Sequence, residues 1–128
     1  MVTPTLAGGK GWGDFDIQAT AGVAIPTDSA VPLGTSLVTN VAFQYHIFNY
    51  FWPEVELNDT YWLSGERAGY NQLFITPGVI VGRFPIGGTA KLIFGIGYQV
   101  AVTPSPVLID PVTPTYNHAW LLTSRMGF

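Results

Sequence analysis

Apolar and polar residues alternate with a period of two along most of this chain. That period puts successive side chains on opposite faces of a strand. The clearest case is residues 116–128. Tyr116, His118, Trp120, Leu122, Ser124, Met126 and Phe128 fall on one side, and Asn117, Ala119, Leu121, Thr123, Arg125 and Gly127 on the other. Five earlier stretches repeat the pattern. Residues 13–25 set Phe15, Ile17, Ala19, Ala21 and Val23 against Asp14, Asp16, Gln18 and Thr20. Residues 37–48 set Leu37, Val41, Phe43 and Tyr45 against Asn40, Gln44 and His46. Residues 52–62 set Val55, Leu57 and Tyr61 against Glu54, Glu56, Asn58 and Thr60. Residues 72–83 set Leu73, Ile75, Val79 and Val81 against Gln72, Thr76 and glycines. Residues 90–102 set Leu92, Phe94, Ile96, Tyr98 and Val100 against Lys91, Gly95, Gly97 and Gln99. No stretch has a helical period, and the ten prolines and many β-branched residues disfavour one. The expected fold is all-β: an antiparallel up-and-down meander of about six strands in a single domain over residues 1–128.

The connections add a second regularity. The links near Asn49-Tyr50-Phe51 and over residues 84–89 are short. Those over residues 26–36, 63–71 and 103–115 are longer or more polar. In a meander this alternation gathers the long loops at one end, as in barrels of the bacterial outer membrane. Aromatic residues also gather near the expected strand ends: Trp12, Phe15, Phe48, Tyr50, Phe51, Trp52 and Phe84 toward the short turns, and Tyr61, Trp62, Tyr70 and Tyr116 toward the long loops. Rings at both ends suit the headgroup level of a bilayer. A strand of about ten residues, tilted near 45°, rises on the order of 23 Å, close to the apolar band of such a barrel.

Composition sharpens the picture. Of the 128 residues, 48% are hydrophobic and only 10% are charged, against roughly 25% charged in an average soluble domain. No window approaches the ~18 consecutive apolar residues of a spanning helix, which leaves strands as the only spanning element. A net charge of -3 without a Lys/Arg cluster argues against a nucleic-acid partner. With no cysteine there is no disulfide framework or thiolate metal site. The first ten residues lack the basic and apolar regions of a signal peptide. An exported protein would need one, so the chain is expected to be a mature or trimmed form, a fragment, or not exported.

The closing segment Trp120-Leu-Leu-Thr-Ser-Arg-Met-Gly-Phe128 resembles the C-terminal assembly signal of Gram-negative outer-membrane proteins. Two further stretches resemble a family of uncharacterised outer-membrane barrels often labelled transporters. They are Gly13-Asp-Phe-Asp-Ile17 with Gly22-Val-Ala-Ile-Pro26, and Ala42-Phe-Gln-Tyr-His46 through Tyr50-Phe-Trp-Pro-Glu-Val-Glu56. The resemblance covers most of the chain and suits the C-terminal portion of a longer protein. It implies location in the outer membrane, contact with its lipid, delivery by the barrel assembly machinery, and Trp120, Leu122, Met126 and Phe128 as the assembly signal. It supplies no catalytic motif. Six strands fall short of the about eight of the smallest closed barrel. Missing N-terminal strands or a second copy sharing the barrel would supply the rest.

On this reading the polar sides of the strands line a lumen: Asp14, Asp16, Gln18, Asn40, Gln44, His46, Glu54, Glu56, Lys91, Gln99 and Arg125. Glu54 and Glu56 lie two apart on one face, a spacing of roughly 6.6 Å that could also serve glycoside hydrolysis. Lumen carboxylates paired with Lys91 and Arg125 are the simpler account. His46 and His118 face opposite ways, so no metal site is expected. Ser64 and Ser124 lack a nucleophile motif, and Gly8-Gly9-Lys10 is not a phosphate loop. The expected function is passive: a pore, a small-solute transporter or a structural barrel, with no cofactor and no covalent chemistry. Two alternatives are a β-sandwich or jelly roll that binds a carbohydrate or an apolar ligand, and a small hydrolase using Glu54 and Glu56.

Overall fold

The computed structural model describes residues 1–27, 34–103 and 117–127. They form seven strands: β1 (Thr5–Trp12), β2 (Phe15–Ala24), β3 (Ser36–Tyr45), β4 (Phe51–Trp62), β5 (Asn71–Gly87), β6 (Ala90–Thr103) and β7 (His118–Gly127). All seven belong to one sheet in chain order, and each pairs antiparallel with its sequence neighbours. The all-β meander is thus as the alternation predicts, with one strand more than the expected six. A sandwich or jelly roll needs a second sheet, and every strand among the described residues belongs to this one.

Tight turns join β1 to β2 at residues 13–14, β3 to β4 at residues 46–50, and β5 to β6 at residues 88–89. Longer connections join the other strands at the opposite end. Glycines with positive φ, Gly13 (61°), Gly87 (128°) and Gly88 (56°), shape the first and last of the tight turns. Phe48 takes the same left-handed backbone (φ 61°) at the tip of the middle one, a conformation that favours residues without a Cβ.

The registers assign every side chain to a face. One face carries Ile17, Val41, Phe43, Leu57, Ile75, Val79, Phe94, Ile96 and Leu122; the other carries Gln18, Asn40, Gln44, Glu54, Glu56, Asn58, Thr76 and Arg125. Among the described residues no second layer covers the apolar face. Leu6 is 81% exposed and Leu122 77%, and no large side chain is fully buried.

The polar face is concave. Asp16 on β2 and Arg125 on β7 line one cleft of ≈ 360 Å³. In a flat sheet those strands would stand about 24 Å apart, five spacings of ~4.8 Å. The sheet therefore coils, and small inward residues let it. At Gly82 a Cβ would meet Ile93 Cα at 2.6 Å, and at Gly78 it would meet the Ile96 carbonyl oxygen at 2.9 Å. The coil does not close. Among the described residues, backbone pairing runs only between sequence neighbours, and β1 and β7 remain as two free edges.

Candidate functional site: the polar cleft of the inner face

The inner face is organised by side-chain hydrogen bonds across strands. Gln99 Nε2 on β6 donates to Asn58 Oδ1 on β4 at 3.4 Å. Asn58 Nδ2 donates to Asn40 Oδ1 on β3 at 2.9 Å, and Asn40 Nδ2 donates to Thr20 Oγ1 on β2 at 3.0 Å. This ladder crosses the middle of the sheet. It exists because Thr20, Asn40 and Asn58 are direct register partners on one face.

Closer to the short-turn end the ladder gives way to charge. Gln44 Nε2 donates to Glu54 Oε2 at 2.7 Å, again between register partners. His46 Nε2 lies 2.9 Å from Asp16 Oδ2. The backbone N–H of His46 donates to the Asp14 carbonyl at 2.7 Å, which fixes where the imidazole departs. Trp52, only 7% exposed, forms the floor here. His46 meets it edge-on at 5.7 Å, and the Arg83 guanidinium lies over it at 5.1 Å. Arg125 enters from β7 into the same cleft as Glu54 and Glu56 and is near enough to act on the Glu56 charge. Glu56 also takes a hydrogen bond from Asn58. The cleft thus gathers three carboxylates (Asp16, Glu54, Glu56), an imidazole and two guanidiniums around ≈ 360 Å³.

Of the residues expected in a lumen, Asp16, Gln18, Gln44, His46, Glu54, Glu56 and Arg125 line this cleft, while Asn40 and Gln99 belong to the ladder above it. Asp14 departs from the expectation, whereas Lys91 keeps the lumen-facing side at a distance from the cleft. Asp14 lies in the β1–β2 turn, exposed, and contributes its carbonyl rather than a wall carboxylate, because the first expected strand is really a hairpin's second arm. Lys91 has the inward parity, but it pairs with Gly127 and Pro85 near the β5–β6 turn, outside the residues lining the cleft. Of the expected assembly signal, Trp120, Leu122 and Met126 share the outer face of edge strand β7, at 69%, 77% and 55% exposure. Phe128 lies outside the described residues.

Arg83 is the functional side chain that alternation misses. By period two it would share the outer face with Val79 and Val81. A register shift between Gly82 and Phe84 leaves it unpaired, in left-handed backbone (φ 63°). The bulge re-aims Arg83 inward and returns Phe84 to the outer side, where its ring stacks on Tyr50 at 5.7 Å and 2°. The only sequence signal is the break in alternation at Gly82-Arg83-Phe84. Trp52 and Trp62 also differ from expectation. Both point inward and are buried, at 7% and 6% exposure, so neither belongs to a lipid-facing belt.

Comparisons of the chain with protein-family models, with curated proteins and with solved structures find no match.

Proposed function

We propose that this chain is wall material of a Gram-negative outer-membrane β-barrel, with its apolar face toward lipid and its polar face along a water-filled passage for small solutes. The observation that carries the reading is the division of a single-layer sheet into two unlike faces. One face leaves Leu6, Phe94, Ile96, Trp120 and Leu122 exposed, at 44% or more. The other holds a continuous hydrogen-bond ladder and a charged cleft. In water, an uncovered apolar face of this size is an aggregation liability; in a bilayer it is the required surface. The outward triplet Trp120, Leu122 and Met126 suits the signal read by the barrel assembly machinery.

Vesicle flotation tests the proposal. Refolded in the presence of phospholipid vesicles, the chain should float with them and resist extraction by alkaline carbonate. A chain that stays monodisperse in detergent-free buffer and sediments away from vesicles would falsify it.

A further inference from the structure

The cleft near the short turns is unevenly satisfied. Its carboxylates are engaged by donors nearby: Asp16 with His46 at 2.9 Å, Glu54 with Gln44 at 2.7 Å, and Glu56 with Asn58. The two guanidiniums are not. Among the described residues no carboxylate lies within 4.0 Å of Arg83 or Arg125. Arg83 rests on the face of Trp52 at 5.1 Å. A stacking contact holds the plane of a guanidinium and leaves its edge N–H groups to bond elsewhere. Backbone strain at φ 63° and a β-bulge deliver this side chain to the cleft. Such devices recur where a side chain is being aimed.

We propose that the cleft binds small zwitterionic solutes that carry one carboxylate and one ammonium group. Arg83 and Arg125 take the carboxylate, by the forked geometry guanidinium offers. The ammonium turns to the wall of Asp16, Glu54 and Glu56. A simple anion is disfavoured, because three carboxylates share the cleft with the two arginines; a simple cation leaves the guanidiniums unpaired. The ≈ 360 Å³ volume falls within the range of small-molecule sites, about 300–1,000 Å³. The inference rests on the inner face being open to water, and it deepens the passage reading by naming a solute class.

Saturation-transfer NMR and calorimetric titration of the chain in detergent micelles test it, with 4-aminobutyrate, butyrate and butylamine as probes. The zwitterion should bind at least roughly tenfold more tightly than either singly charged probe. Arg83→Gln and Arg125→Gln should each weaken 4-aminobutyrate by about tenfold while butylamine binds no more weakly than to the parent, and Arg83→Lys should fall between parent and Gln. Circular dichroism of each variant establishes that the sheet is retained. Equal binding of all three probes, no binding of 4-aminobutyrate at about 10 mM, or folded Gln variants that bind like the parent overturn the inference. The outcome is separable from flotation. A chain that floats but fails to discriminate rejects the solute class alone. A chain that discriminates but does not float rejects the membrane reading alone.

Discussion

At the scale of single residues, the inner face is set by where a Cβ has no room. Gly82 is buried and faces the backbone of Ile93, so a Cβ there meets the Ile93 Cα at 2.6 Å. Backbone cannot swing away as a side-chain tip can. Gly82→Ala should therefore cost about 1–3 kcal/mol, read as a lowered urea midpoint followed by tryptophan fluorescence. Gly8, on edge strand β1, meets nothing within 4 Å and has no positive φ. Gly8→Ala should be neutral, or stabilise by up to ~1 kcal/mol by removing unfolded-state freedom. An equal loss at both positions would mean that close approach is not what selects glycine at 82. The same scale explains why Arg83 is hidden from a reading by periodicity. One unpaired residue inverts the parity of everything after it on that strand, and no composition marks where a bulge falls.

At the scale of elements, six of the seven strands are legible because their two faces differ in polarity, and β7 is the sharpest of all in sequence. Its partner edge, β1, is not. The sequence Thr5-Leu-Ala-Gly-Gly-Lys-Gly-Trp12 has three glycines in eight residues, so one face carries almost no side chain to alternate. A Cβ at Gly9 would meet the Ile17 carbonyl oxygen at 3.0 Å, and one at Gly11 would push the Asp16 carboxylate aside. The feature that lets β1 pair with β2 is also the one that erases its pattern. The Gln99–Asn58–Asn40–Thr20 ladder adds side-chain bonds to the backbone pairing of the middle strands. Asn58→Leu removes a donor and an acceptor at once and breaks the bonds to Gln99, Asn40 and Glu56, so it should cost about 1–3 kcal/mol. Asn71→Ala loses only an exposed 3.5 Å contact to Asp59 and should stay within ~0.5 kcal/mol. Equal urea midpoints for the two variants would show that the ladder contributes nothing. The faces predict a second contrast. Leu57→Arg, on the outer side of β4, should destabilise the vesicle-folded chain by ~2–4 kcal/mol. Thr123→Arg, on the inner side of β7, should not. Equilibrium unfolding from vesicles ranks the pair, and the reverse order is incompatible with lipid on the outer face.

At the scale of the whole molecule, the seventh strand changes how a barrel can close. Alternate strands of a meander run in opposite directions, so β1 and β7, being both odd in order, run the same way, from the long-loop end to the short-turn end. Six strands and a second six would close into twelve with every seam antiparallel. Seven strands and a second seven, inserted the same way up, place β7 of one copy beside β1 of the other in parallel at both seams. Single-chain bacterial barrels are antiparallel and even-numbered, and an open edge in hydrocarbon costs several kcal/mol for each unpaired group. On the barrel reading, closing this sheet antiparallel takes an odd number of further strands, and one is enough to reach eight. That strand must run from the short-turn end to the long-loop end, where β1 begins beside Ile25 through the Val2 bridge. A variant with a second copy of residues 90–103, the upward strand β6, joined through a short loop ahead of Met1 meets this requirement. A variant with residues 71–103 joined there adds two strands and restores a parallel seam. The first should fold in detergent as a monomer by light scattering and resist trypsin; the parent, with free edges β1 and β7, and the second variant, with free edges at the added copy of β5 and at β7, should aggregate or be cleaved along those edges. Equal resistance of both variants, or a protease-resistant dimer of the parent, would show that these edges accept parallel partners and that strand parity does not govern closure.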